Sequence, residues 1–429
     1  MLKRKWFSSL VLIFTLAIFT GCSSESSDSQ ANDAGSDESV TTIEFWHGHT
    51  GPDGKVMEEL VRAFEEEHPE IKVNTQSLPW GELFTKAQLA IKGGSGPDMM
   101  SIPIDRVFLY KDTLVKPVDD LINESAIKAE NFDQYLWDKT FFDGKQYGVP
   151  LDSHPYVLYY RPDLVEKAGL EPLPKDRPLT REEFEEYATA LTTDSQKGFA
   201  YKQTAHHTWW DIWSLFLQAG GSLYNEDQTE SNFDSPATKK AIDYLLYLKN
   251  DLQVTPPTNL DWTTAFSYFN DGQVAMLMHG SWLIPGLEES GTEYDTAMVP
   301  QFFEEDYGVF ANMHTLTLTR SDEAKAKAAF TFIEWVEQEE NATAWGVGSG
   351  NVPANLAARE NYSEEDKLKP LAEMANLMKG KLFMNPYTEK DETILYKHMV
   401  PNLEGIYNET ISIEEGIKKI DEAINQELQ

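Results

Sequence analysis

Short β-type runs and amphipathic helical segments alternate along most of this chain, and this alternation constrains the fold class more than any other feature. Residues 42–46 (TIEFW) and 71–75 (IKVNT) show the period of two that is typical of strands. Between them, Val56, Leu60 and Phe64 recur at helical spacing. Strands that alternate with helices predict an α/β fold with layered helices and sheet.

Sequence signals mark the starts of several later helices. Thr180 and Ser412 are each followed three residues later by glutamate, which fits the capping box of a helix N-terminus. Ser235 precedes Pro236, a residue that is favoured at the first helical position. Acidic residues after Ser363 predict a further helix, so we expect the C-terminal part to be mostly helical.

The N-terminus has the pattern of an export signal. Three basic residues precede the apolar run 10–19, which is too short for the roughly 20 residues of a membrane span but suits a signal peptide. The run leads to Gly21 and Cys22, the one cysteine of the chain, in a pattern that resembles a bacterial lipobox with Phe19 in place of the usual leucine. We therefore expect residues 1–21 to be removed and Cys22 to carry a diacyl membrane anchor. The alternative is an ordinary cleaved signal with an incidental cysteine.

Residues 22–40 predict a flexible, acidic, serine-rich tether, because they contain almost no apolar side chain to bury. About 390 residues remain, and they contain no cysteine for a disulfide. Single hydrophobic cores stop growing at about 250–300 residues, so this length predicts two lobes.

The charge balance is strongly acidic, with 36 Lys and Arg against 71 Asp and Glu and a net charge of −35. This excess argues against nucleic acid and against anionic ligands attracted by a long-range field. Solubility at an exposed surface explains it. We expect a bacterial, extracytoplasmic monomer that is anchored by lipid to the outer face of the cell membrane.

Tryptophan is abundant, with eleven residues, and several lie in turn-like or strand-end contexts: Trp46, Trp80, Trp210, Trp213 and Trp282. Flat aromatic faces and a few aimed polar groups are what a sugar ring needs from a pocket. The polar candidates are His49, Asp105, Arg106, Asp152, His154 and His314. Core packing is the alternative for any single tryptophan, and we expect it for Trp137, Trp262 and Trp335.

The segment FWHGHTG, residues 45–51, raises the question of a metal or catalytic site. A metal needs three or four converging ligands, which histidines could supply: His47, His49, His206, His207 and His314. We expect the two histidines of this strand-like segment to face opposite ways, and no helix-spaced pair such as His-Glu-x-x-His is present, so we predict no metal, no cofactor and no catalytic residue here. A neutral imidazole both donates and accepts hydrogen bonds, so Trp46, His47 and His49 are predicted to line a pocket for a hydroxyl-rich ligand.

Five segments together carry a family resemblance: FEEEHPEIKV (64–73), GSGPDMM (94–100), DGKQYGVPLDSHPYVLYYRPDLVEKAGL (143–170), FNDGQVAMLMHGSW (269–282) and GSGNVPA (348–354). In their order and spacing, the chain resembles the extracellular solute-binding proteins of ABC sugar importers, which include maltose-binding protein. The resemblance implies a two-lobed periplasmic-binding-protein-like fold (type II) with hinge strands, a saccharide in the cleft, and a membrane permease as partner. It implies lobe 1 at 41–154 plus 300–345 and lobe 2 at 155–299 plus 346–429.

The resemblance also assigns ligand contacts by position. It places the loop 47–50, the pair Asp105 and Arg106, and His154 against the ligand, with stacking at the tryptophans Trp210 and Trp282 and with Trp213 beside them. Departures at His49, Thr50 and Ile102 from the maltose-binding pattern favour a saccharide other than maltose.

Two alternatives stay open from the sequence. Glycerol-phosphate binding proteins show similar motifs, and a phosphodiester would need cations such as Arg106 and Arg161. A cell-surface glycosidase would need two carboxylates about 5–10 Å apart, for which the candidates are Asp98, Asp105, Asp152 and Asp211.

Overall fold

The predicted alternation of strands and helices is confirmed in a computed structural model of the chain. It describes residues 40–201, 207–258, 260–304, 306–319, 322–363, 365, 367–377, 388 and 390–429, and residues 40–429 form one unit. The predicted signal peptide, the lipidation site Cys22, almost all of the tether and His206 lie outside the described residues, as do the side chains of His207 and Trp262.

The elements follow one another in mixed order along the chain. The strands are β1 (Thr41–His47), β2 (Ile71–Ser77), β3 (Met99–Pro103), β4 (Val115–Lys116), β5 (Phe141–Phe142), β6 (Lys145–Gln146), β7 (Val149–Tyr160), β8 (Lys197–Ala200), β9 (Val274–Gly280), β10 (Asp295–Ala297), β11 (Ala311–Thr319) and β12 (Val352–Pro353). The helices of the first half are α1 (Pro52–Glu67), α2 (Trp80–Lys92), α3 (Ile104–Tyr110), α4 (Asp119–Glu124), α5 (Gln134–Lys139), α6 (Pro162–Lys167), α7 (Arg181–Ala190) and α8 (His207–Gln218). Those of the second half are α9 (Pro236–Asn250), α10 (Trp262–Asn270), α11 (Ile284–Ser290), α12 (Glu323–Val336), α13 (Glu339–Ser349), α14 (Leu356–Tyr362), α15 (Lys369–Leu377), α16 (Asp391–Thr393), α17 (Val400–Tyr407) and α18 (Ile413–Glu427). A π-helical segment, Ile394–Met399, joins α16 to α17.

The main sheet has the strand order β2-β1-β3-β11-β7-β9-β8, and β7 is the strand that joins its two parts. Every residue of β7 is buried. Its first half pairs with β11 as far as Pro155, and its second half pairs with β9 from Tyr156 onward. A long strand that changes partners halfway connects the two lobes of the fold through continuous backbone.

Local signals explain many helix boundaries. Thr180 forms the predicted capping box at the start of α7, and the side chains of Ser235 and Ser412 cap α9 and α18. The predicted apolar stripe of α1 is buried at Leu60 and Phe64. The helix expected directly after Ser363 begins instead at Lys369, because Ser363 ends α14.

The segment after α13 packs against the first half of β7 and against α5. β12 pairs with Asp152 and Ser153 in the first half of β7. Farther on, Arg359 forms a buried ion pair of 2.8 Å with Asp133, next to α5.

Two of the three tryptophans expected in the core are confirmed there. Trp335 is buried and donates from its indole nitrogen to Glu67, and Trp137 is half-buried against Phe132. Among the described residues, the helices are all too short or too polar to cross a membrane.

Candidate ligand-binding site

Polar residues of neighbouring strands lie close together where the parallel strands β1 and β3 end. Pro103, His314 and Asp152 are level with one another in one row across the sheet, and the pair His47 and Ser101 lies two residues earlier along β3. In α/β sheets, ligands bind outside the carboxyl ends of the strands, so this row and the pair beside it mark the candidate site.

Asp152 is the hydrogen-bonding centre of the row. Its Oδ1 accepts from the Nδ1 atoms of His314 (3.0 Å) and His154 (3.2 Å), and its Oδ2 accepts from Trp345 Nε1 (2.8 Å) and Asn351 Nδ2 (3.2 Å). Burial opposes ionisation of Asp152, but the charge of His314 and the hydrogen bonds from both imidazoles hold its pKa well below the usual range. The site is therefore built on a buried carboxylate.

The ionised state of Asp152 fixes the tautomers of two histidines. A carboxylate can only accept hydrogen bonds, so the Nδ1 atoms of His154 and His314 must both carry the proton. In the neutral form of each ring, Nε2 then carries no proton and can accept a hydrogen bond. The two ring centroids are only 4.2 Å apart, so the pair offers adjacent acceptors.

The buried ring of His49 is held in a second hydrogen-bonded series. Its Nδ1 is 3.0 Å from Asp53 Oδ2, and its Nε2 is 3.0 Å from the hydroxyl of Ser101. Burial lowers the pKa of His49, so the neutral ring donates to Asp53 and accepts from Ser101. The order is that of a serine-hydrolase triad, but Ser101 is fully buried, so its hydroxyl is not exposed to a substrate.

His47 lies behind His49, with the two rings 5.3 Å apart. The expectation that these histidines face opposite ways is wrong, because residues two apart along extended backbone point to the same side, and β1 is extended up to His47. Both ring nitrogens of His47 are buried without a hydrogen-bond partner among the described residues. Burial, with a smaller contribution from the charge of His49, lowers the pKa of His47 to about 3.

Indole and imidazole rings continue the site from one part of the sheet to the other. Trp80 stacks on His314 at 5.5 Å with the ring planes 10° apart, and His154 follows at 4.2 Å from His314. The ring centroid of Trp282 lies 5.5 Å from that of His154, and the ring centroid of Trp210 lies 6.2 Å from that of Trp282. We call these five residues the ring row.

Two glycines allow two tryptophans of the ring row to lie against the backbone. A Cβ atom on Gly48 would be 2.0 Å from the indole of Trp80. A Cβ atom on Gly280 would likewise be 2.0 Å from the indole of Trp282. Any larger residue at either position would displace the ring.

Asp105 and Arg106 lie at the edge of the site, on α3. They form an ion pair of 3.2 Å, and Asn312 of β11 donates to Asp105 at 3.3 Å. The guanidinium of Arg106 lies 5.1 Å from the ring centre of Phe84, which stacks on Trp80. The predicted polar pair is thus connected to the ring row through side-chain contacts.

The predicted site residues separate into two groups in the structure. Trp80, His49, Asp152, His154, His314, Trp210 and Trp282 come together, with His47, Asp105 and Arg106 next to them. Trp46 and Trp213 pack in the core instead, Trp213 between Trp209 and Phe216.

Sequence analysis missed the residues that hold the site in place. Trp345 and Asn351 bond Asp152 from 193 and 199 residues away along the chain, and no local pattern signals such a contact. The contact between Asp53 and His49 could have been predicted from the sequence, because Asp53 lies four residues after His49 at the start of a helix.

Within the part of the chain that the structure describes, one set of side chains could hold a metal ion. Asp152, His154 and His314 are all buried, and their potential ligand atoms lie within 4.8 Å of one another. Imidazole nitrogen and carboxylate oxygen are ligands for zinc and related dications.

The fold and the site together define a class. An α/β protein whose two parts share one crossing strand, with a row of rings beside that strand, is a two-lobed solute-binding protein. The sequence model of the bacterial extracellular solute-binding proteins matches residues 48–343, and the chain belongs to that family. Its place is therefore outside the cytoplasm.

Solved structures and curated relatives agree with this membership. The ABC substrate-binding protein Lmo0181 from Listeria monocytogenes, in complex with cycloalternan, has a TM-score of 0.77 at 24% identity and covers 90% of this chain and 98% of its own. Maltose-bound MalE3 of T. maritima has a TM-score of 0.77 at 16% identity, covering 90% of this chain and 99% of its own. The sn-glycerol-3-phosphate-binding periplasmic protein UgpB of Escherichia coli (strain K12) is 23% identical over 77% of this chain and 78% of its own length.

Proposed function

We propose that this protein captures a saccharide, specifically an oligosaccharide, between its two lobes and delivers it to the permease of an ABC importer. The ring row carries the proposal. Trp80, Trp210 and Trp282 supply flat apolar faces, while the imidazoles between them supply hydrogen-bonding atoms for hydroxyl groups. Similar proteins of this fold are described in complex with cycloalternan and with maltose, which supports a carbohydrate ligand.

Binding by lobe closure follows from the position of β7. Asp152 and His154 lie in its first half, and Tyr156, in its second half, contacts Trp282. A ligand that touches both halves only in the closed form shifts the population toward that form. The change of pairing between Pro155 and Tyr156 supports a lobe boundary within one residue of the predicted 154/155, and the packing of residues 352–362 supports a lobe 1 that extends to about residue 362.

The experiment is calorimetric titration of the purified chain with mono-, di- and oligosaccharides chosen by a thermal-shift screen, because a bound ligand raises the melting temperature. Trp282→Ala should weaken binding of the selected saccharide at least about tenfold. Trp137→Ala removes an equally half-buried indole outside the ring row and should leave the affinity unchanged. Equal affinities for wild type and Trp282→Ala would contradict the proposal.

A glycerol-phosphate ligand is the second candidate, because curated relatives at 23% identity bind sn-glycerol-3-phosphate. The two candidate cations, Arg161 and Arg106, do not favour a phosphate ligand. Arg161 is held by Asp163 and by the carbonyl oxygens of Phe269 and Asn270, which fits the structural role expected from the sequence. Arg106 is paired with Asp105. Glycerol phosphate in the same titration distinguishes the two ligands.

We propose no glycosidase activity. Asp98 accepts from the backbone of Glu44 and from Lys325. Asp152 is buried, but the charge of His314 and its hydrogen bonds hold its pKa well below the usual range, so it is not the general acid that a glycosidase needs. Incubation with a labelled oligosaccharide tests this reading: stoichiometric retention supports a receptor, and turnover would contradict it.

A lipid anchor at Cys22 completes the proposal, because it keeps a secreted receptor close to its permease. Cys22→Ala should release the protein into the medium. Labelling of the wild-type chain by a fatty-acid analogue, absent from the variant, checks the same point.

A further inference from the structure

We propose that Asp152, His154 and His314 form a binding site for one first-row transition-metal dication, of which Zn²⁺ is the reference case. The inference goes beyond saccharide binding and does not depend on it. The three side chains are buried, and their potential ligand atoms lie within 4.8 Å of one another.

The distances between specific atoms already approach those of a metal site. Asp152 Oδ1 is 3.0 Å from the Nδ1 of His314 and 3.2 Å from the Nδ1 of His154. Ligand atoms at 2.0–2.1 Å from a tetrahedral zinc ion are about 3.3 Å apart. Small side-chain rotations, together with transfer of each imidazole proton from Nδ1 to Nε2, therefore replace two hydrogen bonds by coordination to one ion.

The surroundings of Asp152 resemble the second layer of contacts that orients metal ligands. Trp345 Nε1 and Asn351 Nδ2 both bond Oδ2, at 2.8 and 3.2 Å. These contacts fix the carboxylate and turn Oδ1 toward the two imidazoles. Two histidines and one carboxylate make up three protein ligands, which leaves at least one position for water or for a group of a bound solute.

The neighbouring histidine does not compete for the ion. The ring centroids of His49 and His314 are 4.7 Å apart, but the Nδ1 of His49 is hydrogen-bonded to Asp53 and its Nε2 to Ser101. The ion would thus have the ligand set Asp152, His154 and His314. The net charge of −35 raises the local concentration of cations around the whole protein.

The test is titration of the full chain, purified without a histidine tag and stripped with EDTA, with Zn²⁺ by calorimetry and with Co²⁺ by visible absorption. We expect one ion per chain and the absorption bands of low-coordinate Co²⁺. His154→Ala and His314→Ala should each weaken Zn²⁺ binding at least about tenfold. Thermal melting of each variant confirms that it folds.

His398→Ala is the matched control, because His398 also bonds a carboxylate, Glu427, at 3.0 Å but lies in the C-terminal helices. It should leave the Zn²⁺ affinity unchanged. No stoichiometric binding, or binding that survives both His154→Ala and His314→Ala, would overturn the site. Saccharide binding is measured separately in EDTA, so a failure of one proposal is distinguishable from a failure of the other.

Discussion

At the scale of single residues, His47 makes stability depend on pH. Its folded-state pKa of about 3 lies below the unfolded value of 6.5, so the unfolded chain binds one more proton between these limits. Stability should therefore rise with pH across this window and be lost as the pH falls below 6.5, by up to about 1.4 kcal/mol per pH unit.

His47→Gln should remove this contribution, which urea unfolding at pH 7, 6, 5 and 4 would show as a flatter acid limb. His68→Gln changes a histidine whose side chain is 30% exposed and should keep the wild-type slope. An unchanged slope in His47→Gln would mean that His47 does not titrate as its burial requires.

Glu337 is a second buried residue whose burial lowers the stability of the folded state. Its carboxyl oxygens have no hydrogen-bond partner among the described residues, and burial, together with the charge of Asp152, raises its pKa well above the usual range. The folded state holds a proton that the unfolded state has lost, so stability falls as the pH rises above 4.5. Glu337→Met should stabilise the protein by about 1–3 kcal/mol at pH 8 and by less at pH 4.5. Glu340→Met, at an exposed position nearby, should change little in the same denaturation experiment.

At the scale of elements, the sequence predicted those whose residues act locally. The strand at 42–46, the caps at Thr180 and Ser412 and the buried face of α1 all follow from patterns within one or two turns. The limits appear where partners are distant in sequence. Trp345 lies within α13 and reaches Asp152 across the fold. The buried carboxylate of Asp152 needs hydrogen-bond donors, and no local sequence pattern indicates which residues supply them.

The assignment of residues 352–362 to lobe 1 has an energetic test in α14. Arg359 is buried and donates to Asp133, which also caps α5 by accepting from Tyr135 and Leu136. Arg359→Met leaves this carboxylate buried without its cation and should cost roughly 3–5 kcal/mol of unfolding free energy. Adding Asp133→Asn, which keeps an N-cap side chain, should recover part of the loss. Additive costs in the double-mutant cycle would show that the two residues do not interact.

At the scale of the whole molecule, β7 makes the two parts of the sheet dependent on each other. The strand carries Asp152 in one part and Tyr159, which donates to the carbonyl of Gly280, in the other. Gly280 in turn lies against the indole of Trp282. A change in the angle between the lobes therefore moves Trp282 relative to His154 without breaking the strand.

Closure predicts a change of overall dimensions that ring contacts alone do not. To convert a population from about 1% to about 99% closed, a saccharide must bind the closed form roughly 10⁴-fold more tightly than the open form. Small-angle X-ray scattering of the purified chain should therefore show a smaller radius of gyration when saccharide saturates the site. Trp282→Ala, at a concentration that saturates only the wild type, should keep the larger radius and reach the smaller one at higher saccharide concentration. If calorimetry shows full occupancy of the wild type while the scattering curve stays the same, the ligand binds without closing the lobes, and capture by closure is wrong.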